Sequence, residues 1–382
     1  MAPRYQVRLK NLAGVQVAIL TDWYDLKFHR KVNGVDSCTL EIDGNIAVLD
    51  EFVLDGQIEV WRSDLAADPV IPIYLEYEGF HRTEVRRTAL DGRATFSSIG
   101  MGYDHLLARR IILYATGSAQ ADKAAVGETV MKEFVDENAG PGATSPPRLL
   151  SAGVMAGLTI QADGAAGAVW TGARAYRILL DILVEVARDS DVDFGIIGTG
   201  PATFEFQAQA SPWGDDRTTT GLDPATGLNG AGNPPVIFSL PQGNMEIPLY
   251  SNDRRDEVTS VIVLGQGQEA DRLLVERTDA AAIAESTWNR IERPRQGNTE
   301  DAVAGLNSIG DEALESLQAK EVFRFNGLQI PATLYGRDYF LGDLVTARYN
   351  DIERNKKIVG VQISVQRGVE RIILELSDVP LS

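Results

Sequence analysis

The stretch Asp36-Ser37-Cys38-Thr39-Leu40-Glu41-Ile42-Asp43 alternates apolar and polar side chains with period two. Cys38, Leu40 and Ile42 point to one face, and Ser37, Thr39, Glu41 and Asp43 to the other, the pattern of a strand buried on one side. Cys38 therefore reads as a small buried hydrophobe and not as a nucleophile, since no histidine lies near it in sequence. Strands of the same kind are expected at 5–9, 15–20, 57–62, 71–80 and 94–99, with turn residues such as Asp91-Gly92 between them. Many short strands with few helices argue for an antiparallel barrel or sandwich.

Downstream the period changes. Val126, Val130 and Phe134 recur every four residues, and Asn138-Ala139-Gly140-Pro141 ends that helix. After a Gly/Pro/Ser loop at 140–147, Tyr176, Leu179, Leu180, Leu183 and Val186 form a second apolar helical stripe. Residues 209–235 carry Gly, Pro, Thr and Asp with almost no aliphatics, which predicts a long exposed, mobile loop or linker and the main domain boundary. The last third reads as a strand at 258–264, a helix through Val303, Leu306, Leu314 and Leu317 weakened by Gly305 and Gly310, then strands at 343–349, 357–366 and 369–376. Arg367-Gly368 sits where a tight hairpin turn belongs. Phe52-Val53-Leu54-Asp55-Gly56 leads into one strand and Tyr339-Phe340-Leu341-Gly342-Asp343 into another. The echo suggests a duplicated β-module flanking the helical middle.

The 382 residues include 54 acidic and 36 basic side chains, a net charge of −18. That length suits two or three domains, and 44% hydrophobic with 24% charged residues is globular composition. The acidic balance disfavours a nucleic-acid-coating protein. A single cysteine excludes an intramolecular disulfide and a cysteine-built zinc site. The opening MAPRYQVRLKNLAG lacks the apolar core of a signal peptide, and no apolar run reaches membrane-spanning length, so no direct membrane anchoring is expected.

Few catalytic motifs stand out. Gly265-Gln266-Gly267-Gln268-Glu269-Ala270 follows an apolar strand as a dinucleotide fingerprint would, but no helix of adequate length and no βαβ alternation surround it, so it reads as a hairpin turn. Asp189-Ser190-Asp191-Val192-Asp193 opens like a calcium loop, yet Phe194 and Gly200 stand where Gly and Glu are needed. His29, His81 and His105 lack metal-ligand spacing. The doublets Arg86-Arg87, Arg109-Arg110, Arg254-Arg255 and Lys356-Lys357 are scattered and read as ion-pair partners or solvated faces. No catalytic, cofactor-binding or metal residue is nominated, and no cofactor is expected. A glycosidase carboxylate pair stays open, because carboxylates abound and none is singled out.

The order of several segments resembles the hub proteins at the tail tip of long-tailed bacteriophages, whose relatives occur in contractile baseplates and injection systems. The likeness rests on Gly102-Tyr103-Asp104-His105-Leu106-Leu107-Ala108-Arg109-Arg110-Ile111, Trp213-Gly214-Asp215-Asp216-Arg217, and Gly243-Asn244-Met245-Glu246 with Leu264-Gly265-Gln266-Gly267. Trp288-Asn289-Arg290-Ile291-Glu292 and Asp338-Tyr339-Phe340-Leu341-Gly342-Asp343-Leu344-Val345-Thr346 complete it, and together the segments cover roughly residues 5–379.

The resemblance implies a β-rich α+β fold with two tail-tube-like antiparallel β-barrel domains and α/β insertions between them. The expected division is 1–112 for the first barrel, 113–208 for an α/β middle domain, 209–235 for the loop, and 236–382 for the second barrel with a helical insertion near 279–320. It also implies a non-enzymatic virion protein assembled in the host cytoplasm, three copies forming a ring that continues the tail tube. The implied partners are the tail tube or distal tail protein ring, the tape measure protein, and tip or fibre proteins, with DNA passing through unbound. Because the sequence ends soon after its terminal hairpin, any peptidoglycan-cleaving or host-binding activity is expected from partners. Three chains would carry a charge of about −54, which suits a lumen that repels phosphates. The competing expectation is a carbohydrate-binding or glycoside-cleaving β-protein, with Trp170 and Trp213 as the sugar-stacking candidates; a dehydrogenase is a distant third.

Overall fold

The computed structural model describes residues 3–297 and 302–378. The chain forms two compact units, one of residues 1–246 with 326–382 and one of residues 247–325. The larger unit begins with β1 (Arg4–Lys10), β2 (Gln16–Leu20), β3 (Asp25–Lys31), β4 (Ser37–Asp43), β5 (Gln57–Asp64), β6 (Ile71–Thr88) and β7 (Ala94–Gly102). In β4, Cys38, Leu40 and Ile42 are buried while the alternate residues are not, as period two requires. Burial pushes the Cys38 thiol up to about 12, which keeps it protonated and inert at neutral pH.

A single turn, α1 (His105–Ala108), leads into the middle region. There β8 (Ala121–Val126) pairs with β10 (Val169–Arg174), while β9 (Leu158–Ile160), β11 (Val192–Gly200) and β12 (Thr203–Ala210) form a three-stranded sheet in the order β11-β12-β9. The helices α2 (Gly127–Asn138) and α3 (Leu179–Ser190) cover it. Val130, Phe134, Leu183 and Val186 meet Phe194 and Phe206 in one core, each such side chain contributing roughly 1.5–3 kcal/mol by leaving water. The stripe through Tyr176 is corrected. The helix starts at Leu179, and Tyr176 stands before it at φ 58°, outside the helical region and exposed.

Residues 209–235 do not form a free linker. Within them β13 (Asp216–Arg217) pairs in parallel with a strand of the main sheet, and just beyond them β14 (Ile237–Ser239) does the same. The buried Asn229 donates to the carbonyls of Asp216 (2.9 Å) and Thr218 (3.0 Å). Side-chain amides here replace the apolar area that the sequence lacks.

Most of a two-stranded ribbon, β15 (Met245–Asp253) paired with β19 (Lys320–Gly327), belongs to the smaller unit. Between them β16 (Ser260–Leu264) lies centrally between β17 (Leu274–Thr278) and β18 (Glu292–Gln296), with α4 (Ala280–Ala284) and α5 (Val303–Ser316). The segment Gly265–Asp271 is the turn of the β16–β17 hairpin, with Gly267 at φ 106°, so the Gly-x-Gly holds no nucleotide-type helix N-terminus. Its core is Val258, Val261, Val263, Leu306 and Ala313.

The chain then re-enters the larger unit with β20 (Leu344–Tyr349), β21 (Ile352–Gln366) and β22 (Val369–Asp378). Arg367 and Gly368, at φ 51° and 77°, make the two-residue hairpin that closes on the Gln366–Val369 pair. β21 also pairs antiparallel with β3, from Gly360 opposite Lys31 to Gln366 opposite Asp25. One twelve-stranded sheet results, in the order β13-β20-β21-β3-β4-β7-β6-β5-β1-β2, with β14 on β20 and β22 on β21. Where the sequence suggests two separate barrels, strand pairing among the described residues therefore gives one sheet drawn from both ends of the chain. The physical reason is the length of β21. Its fifteen residues exceed the reach of β20, and the remainder finds the free edge of β3.

Candidate functional site

Three side-chain clusters join sequence-distant parts of the larger unit. Arg62 on β5 donates from Nε (2.9 Å) and Nη2 (3.0 Å) to the Glu370 carboxylate on β22, and from Nη1 to the Tyr335 carbonyl (3.2 Å) and the Tyr74 hydroxyl (3.2 Å). The Tyr5 hydroxyl donates to the same carboxylate. Tyr335 donates its hydroxyl to Glu76 (2.7 Å), which Arg30 also reaches (3.2 Å). Lys357 meets Asp193 at 2.6 Å, and the Asn33 amide donates to the same carboxylate at 2.8 Å. Buried charges persist only when paired and hydrogen-bonded in this way.

A second arrangement docks the middle sheet. β11 is an edge strand, and three of its backbone N–H groups find side-chain acceptors. Phe194 donates to Asn33 (2.8 Å), Ile196 to Asp104 (2.8 Å) and Gly198 to Glu78 (2.7 Å). Every second N–H of a bare edge is thus satisfied by a polar side chain instead of a further strand. Around this junction lies a cleft of about 130 Å³, lined by Arg30, Asp36, Glu76, Glu78, Asp104 and Trp213 among others. Burial pushes the Asp36 carboxyl up to about 6, holds Asp104 well above the usual carboxylate range and raises Glu78. The cleft falls short of the roughly 300–1,000 Å³ of a ligand pocket. Asp104 and Glu78 are already occupied by backbone donors, and Asp36 accepts from the Lys31 N–H (2.7 Å). The arrangement holds two layers together; it offers no room for a sugar.

The other sequence candidates are dispersed. Trp170 is only 5% exposed, stacked under Arg174 and against Phe134, so it is no sugar platform. Trp213 lies half-buried beside Gly195 and Gly342. Asp191 ends α3 in the left-handed region and Asp193 belongs to Lys357. His81 bonds Ser98 (2.7 Å), His105 accepts from Arg109 (3.0 Å), and His29 faces Glu375 (3.1 Å), three separate places. Among the described residues no three His, Cys, Asp or Glu side chains group to hold a metal ion, and no helix is long and apolar enough to cross a membrane. Of the basic doublets, Arg109 pairs with Asp55, Arg254 with Glu285, Arg255 with Asp253 and Lys357 with Asp193.

The sequence echo has a structural counterpart. Phe52 and Tyr339 are both buried, and the residues three places on, Asp55 and Gly342, both have positive φ (62° and 92°). Each turn feeds a three-stranded antiparallel meander, β5-β6-β7 in one case and β20-β21-β22 in the other. Each meander has a long central strand, 18 residues in β6 and 15 in β21.

Among curated proteins none matches the chain in sequence. Among solved structures it resembles the 43 kDa tail protein of prophage MuSo2 from Shewanella oneidensis (TM-score 0.57, 10% identity, 99% of this chain and 98% of that one). It also resembles prophage tail protein gp18 from Listeria monocytogenes EGD-e (TM-score 0.53, 8% identity, 97% and 94%). A chain of the Francisella PdpA-VgrG complex is similar at TM-score 0.51 and 8% identity, over 98% of this chain and 52% of that one. At such identities the likeness is one of fold. The family described as siphovirus ReqiPepy6 Gp37-like protein matches residues 6–376, and with that span the chain belongs to this siphovirus family.

Proposed function

We propose that the chain is a structural, non-enzymatic hub of a phage tail tip or baseplate. In this reading the two meanders belong to two tube-like modules, within 1–112 and 236–382, the second interrupted by the unit that contains the 279–320 helical insertion. The 113–208 α/β region packs beside them and the 209–235 loop ties back onto β20. Three copies would place six modules in a ring that continues a sixfold tube. The observation that carries the proposal is the repeated meander joined across the β3–β21 seam, because it gives one chain two adjacent, similarly built segments of a single wall. The ring would join the tail tube or distal tail protein ring and the tape measure protein to tip or fibre proteins, in a virion assembled in the host cytoplasm. With −18 per chain, its inner wall would repel phosphates and let DNA slide through without binding.

Electron microscopy and solution mass of the purified protein test this. Threefold rings with a central channel and a trimer mass are expected. A chain that stays monomeric at tens of micromolar, or a ring with a basic inner wall, would overturn the corresponding part.

A further inference from the structure

The segment Arg110–Tyr114 runs between two others on the surface of the middle region. On one side Ile112 donates its N–H to the Arg177 carbonyl (2.9 Å) and accepts from the Tyr176 N–H (2.9 Å), while Leu179 donates to the Arg110 carbonyl (2.9 Å). On the other, Leu149 donates to the Tyr114 carbonyl (2.9 Å), and Ala115 bridges Arg148. The Tyr114 and Tyr176 hydroxyls meet at 2.6 Å. The surface so formed is apolar, with Ile111, Leu150, Tyr176 and Ile178 all exposed, Leu150 at 79% and Tyr176 at 61%.

Two features set this surface apart. Leu150 and Tyr176 both stand in the left-handed region, at φ 69° and 58°. Large side chains rarely adopt that conformation, and holding them there exposed is unfavourable twice over, in backbone strain and in wetted apolar area. The second feature is charge. Arg110 donates to the Gly153 and Arg109 carbonyls and Arg177 is exposed, while Arg148, buried at 6% exposure, donates to the carbonyls of Ser151 and Ile111. Among the described residues no carboxylate meets any of the three. Burial and a neighbouring guanidinium lower the pKa of both Arg110 and Arg148. In a chain of net charge −18, such a surplus of unneutralised arginine is local and specific.

We propose that this face docks a neighbouring copy of the chain, taking its carboxylates onto Arg110 and Arg177 and its apolar side chains onto Leu150 and Tyr176. Charge complementarity selects the occupant. A second copy carries a net charge of −18, and two accessible guanidiniums without anions meet it favourably where two unrelieved acidic faces would repel. The inference rests on the ring reading in one respect only, that the partner is another copy.

The test is the triple variant L150N/Y176N/R177E, compared with wild type by sedimentation at low and moderate salt. Asparagine tolerates the left-handed region, so the melting temperature of the variant should be unchanged or higher. Its self-association should nevertheless weaken at least tenfold, and the wild-type assembly should loosen as salt rises. Stability and assembly moving in opposite directions is an outcome that a purely structural role would not produce. A ring that forms equally well in the variant overturns this inference and leaves the hub reading intact. A wild-type chain that remains monomeric overturns both. Retardation of DNA by wild type and not by the variant would assign the arginines to phosphate and overturn the docking of a second copy.

Discussion

The two units hold themselves together by different means. In the larger one, the charged staple Arg62–Glu370 is desolvated and joins residues more than 300 positions apart. In the smaller one the core is a handful of aliphatics, and the ion pairs Arg277–Asp311 and Arg290–Glu276 stand in solvent. A buried pair is costly to break because the orphaned charge cannot reach water, whereas an exposed pair simply exchanges its partner for solvent. The contrast teaches where rigidity resides. In the larger unit the side chains that join distant segments are desolvated, and in the smaller unit the paired charges stay in solvent and follow looser rules.

The sharpest way to break this contrast is Arg62→Ala. It leaves Glu370 buried without its bidentate donor, and the cost should be about 3–5 kcal/mol in chemical denaturation. Arg290→Ala in the smaller unit should leave the unfolding midpoint unchanged. Equal losses in the two variants would mean that burial does not distinguish the units.

A smaller effect sharpens the account of the insertion. Gly310 weakens α5 by intrinsic propensity, yet a Cβ there would come within 2.5 Å of Arg277 Cγ and 3.0 Å of Val263 Cγ2. The glycine lets α5 lie close on β16 and β17. Gly310→Ala should therefore destabilise the smaller unit, overpacking of about 1–3 kcal/mol outweighing a helix-propensity gain of about 1 kcal/mol. Hydrogen exchange confined to 247–325 would report it. A stabilised unit would show that the close approach is dispensable.

Legibility in the sequence followed burial. β4 keeps an apolar side chain at every second position, and the period is enough to find it. β3 carries a weaker period because Arg30, in register with Leu26 and Phe28, interrupts the apolar face for the sake of Glu76. β18 (ERPRQ) is exposed throughout and carries no apolar period at all. The edge of β11 is satisfied by Asn33, Glu78 and Asp104, residues from three other segments, and nothing local announces such a meeting. The β3–β21 seam is likewise a long-range pairing that no window of sequence contains. The two aromatic-and-turn segments at Phe52 and Tyr339, by contrast, are legible, because a buried aromatic followed by a left-handed turn leaves a local signature.

The smallest effect concerns the carboxylates at the β11 junction, and its sign separates them from the staples. An unfolded aspartate titrates near 3.9. In the folded chain, burial pushes Asp36 up to about 6, against the pull of Arg30 and of the Lys31 N–H, while Asp104 and Glu78 are raised by burial too. Between about pH 4 and 6 the folded state therefore keeps protons that the unfolded state has released, and stability falls as pH rises through that window. Asp55 behaves oppositely. Burial would raise it, but hydrogen bonds from Arg109 and Arg82 bring it below the usual value, so its contribution is lost only as pH falls below about 4. The two windows do not overlap, and one titration of stability can resolve them. Asp36→Asn keeps an acceptor for the Lys31 N–H and removes one titrating group beside Arg30, Glu76, Glu78 and Asp104. It should flatten part of the decline between pH 4 and 6 and leave the acid limb below pH 4 in place. Superimposable wild-type and variant curves across pH 4–6 would show that Asp36 is solvated in the folded chain, and the junction would then be a wet contact and not a desolvated joint.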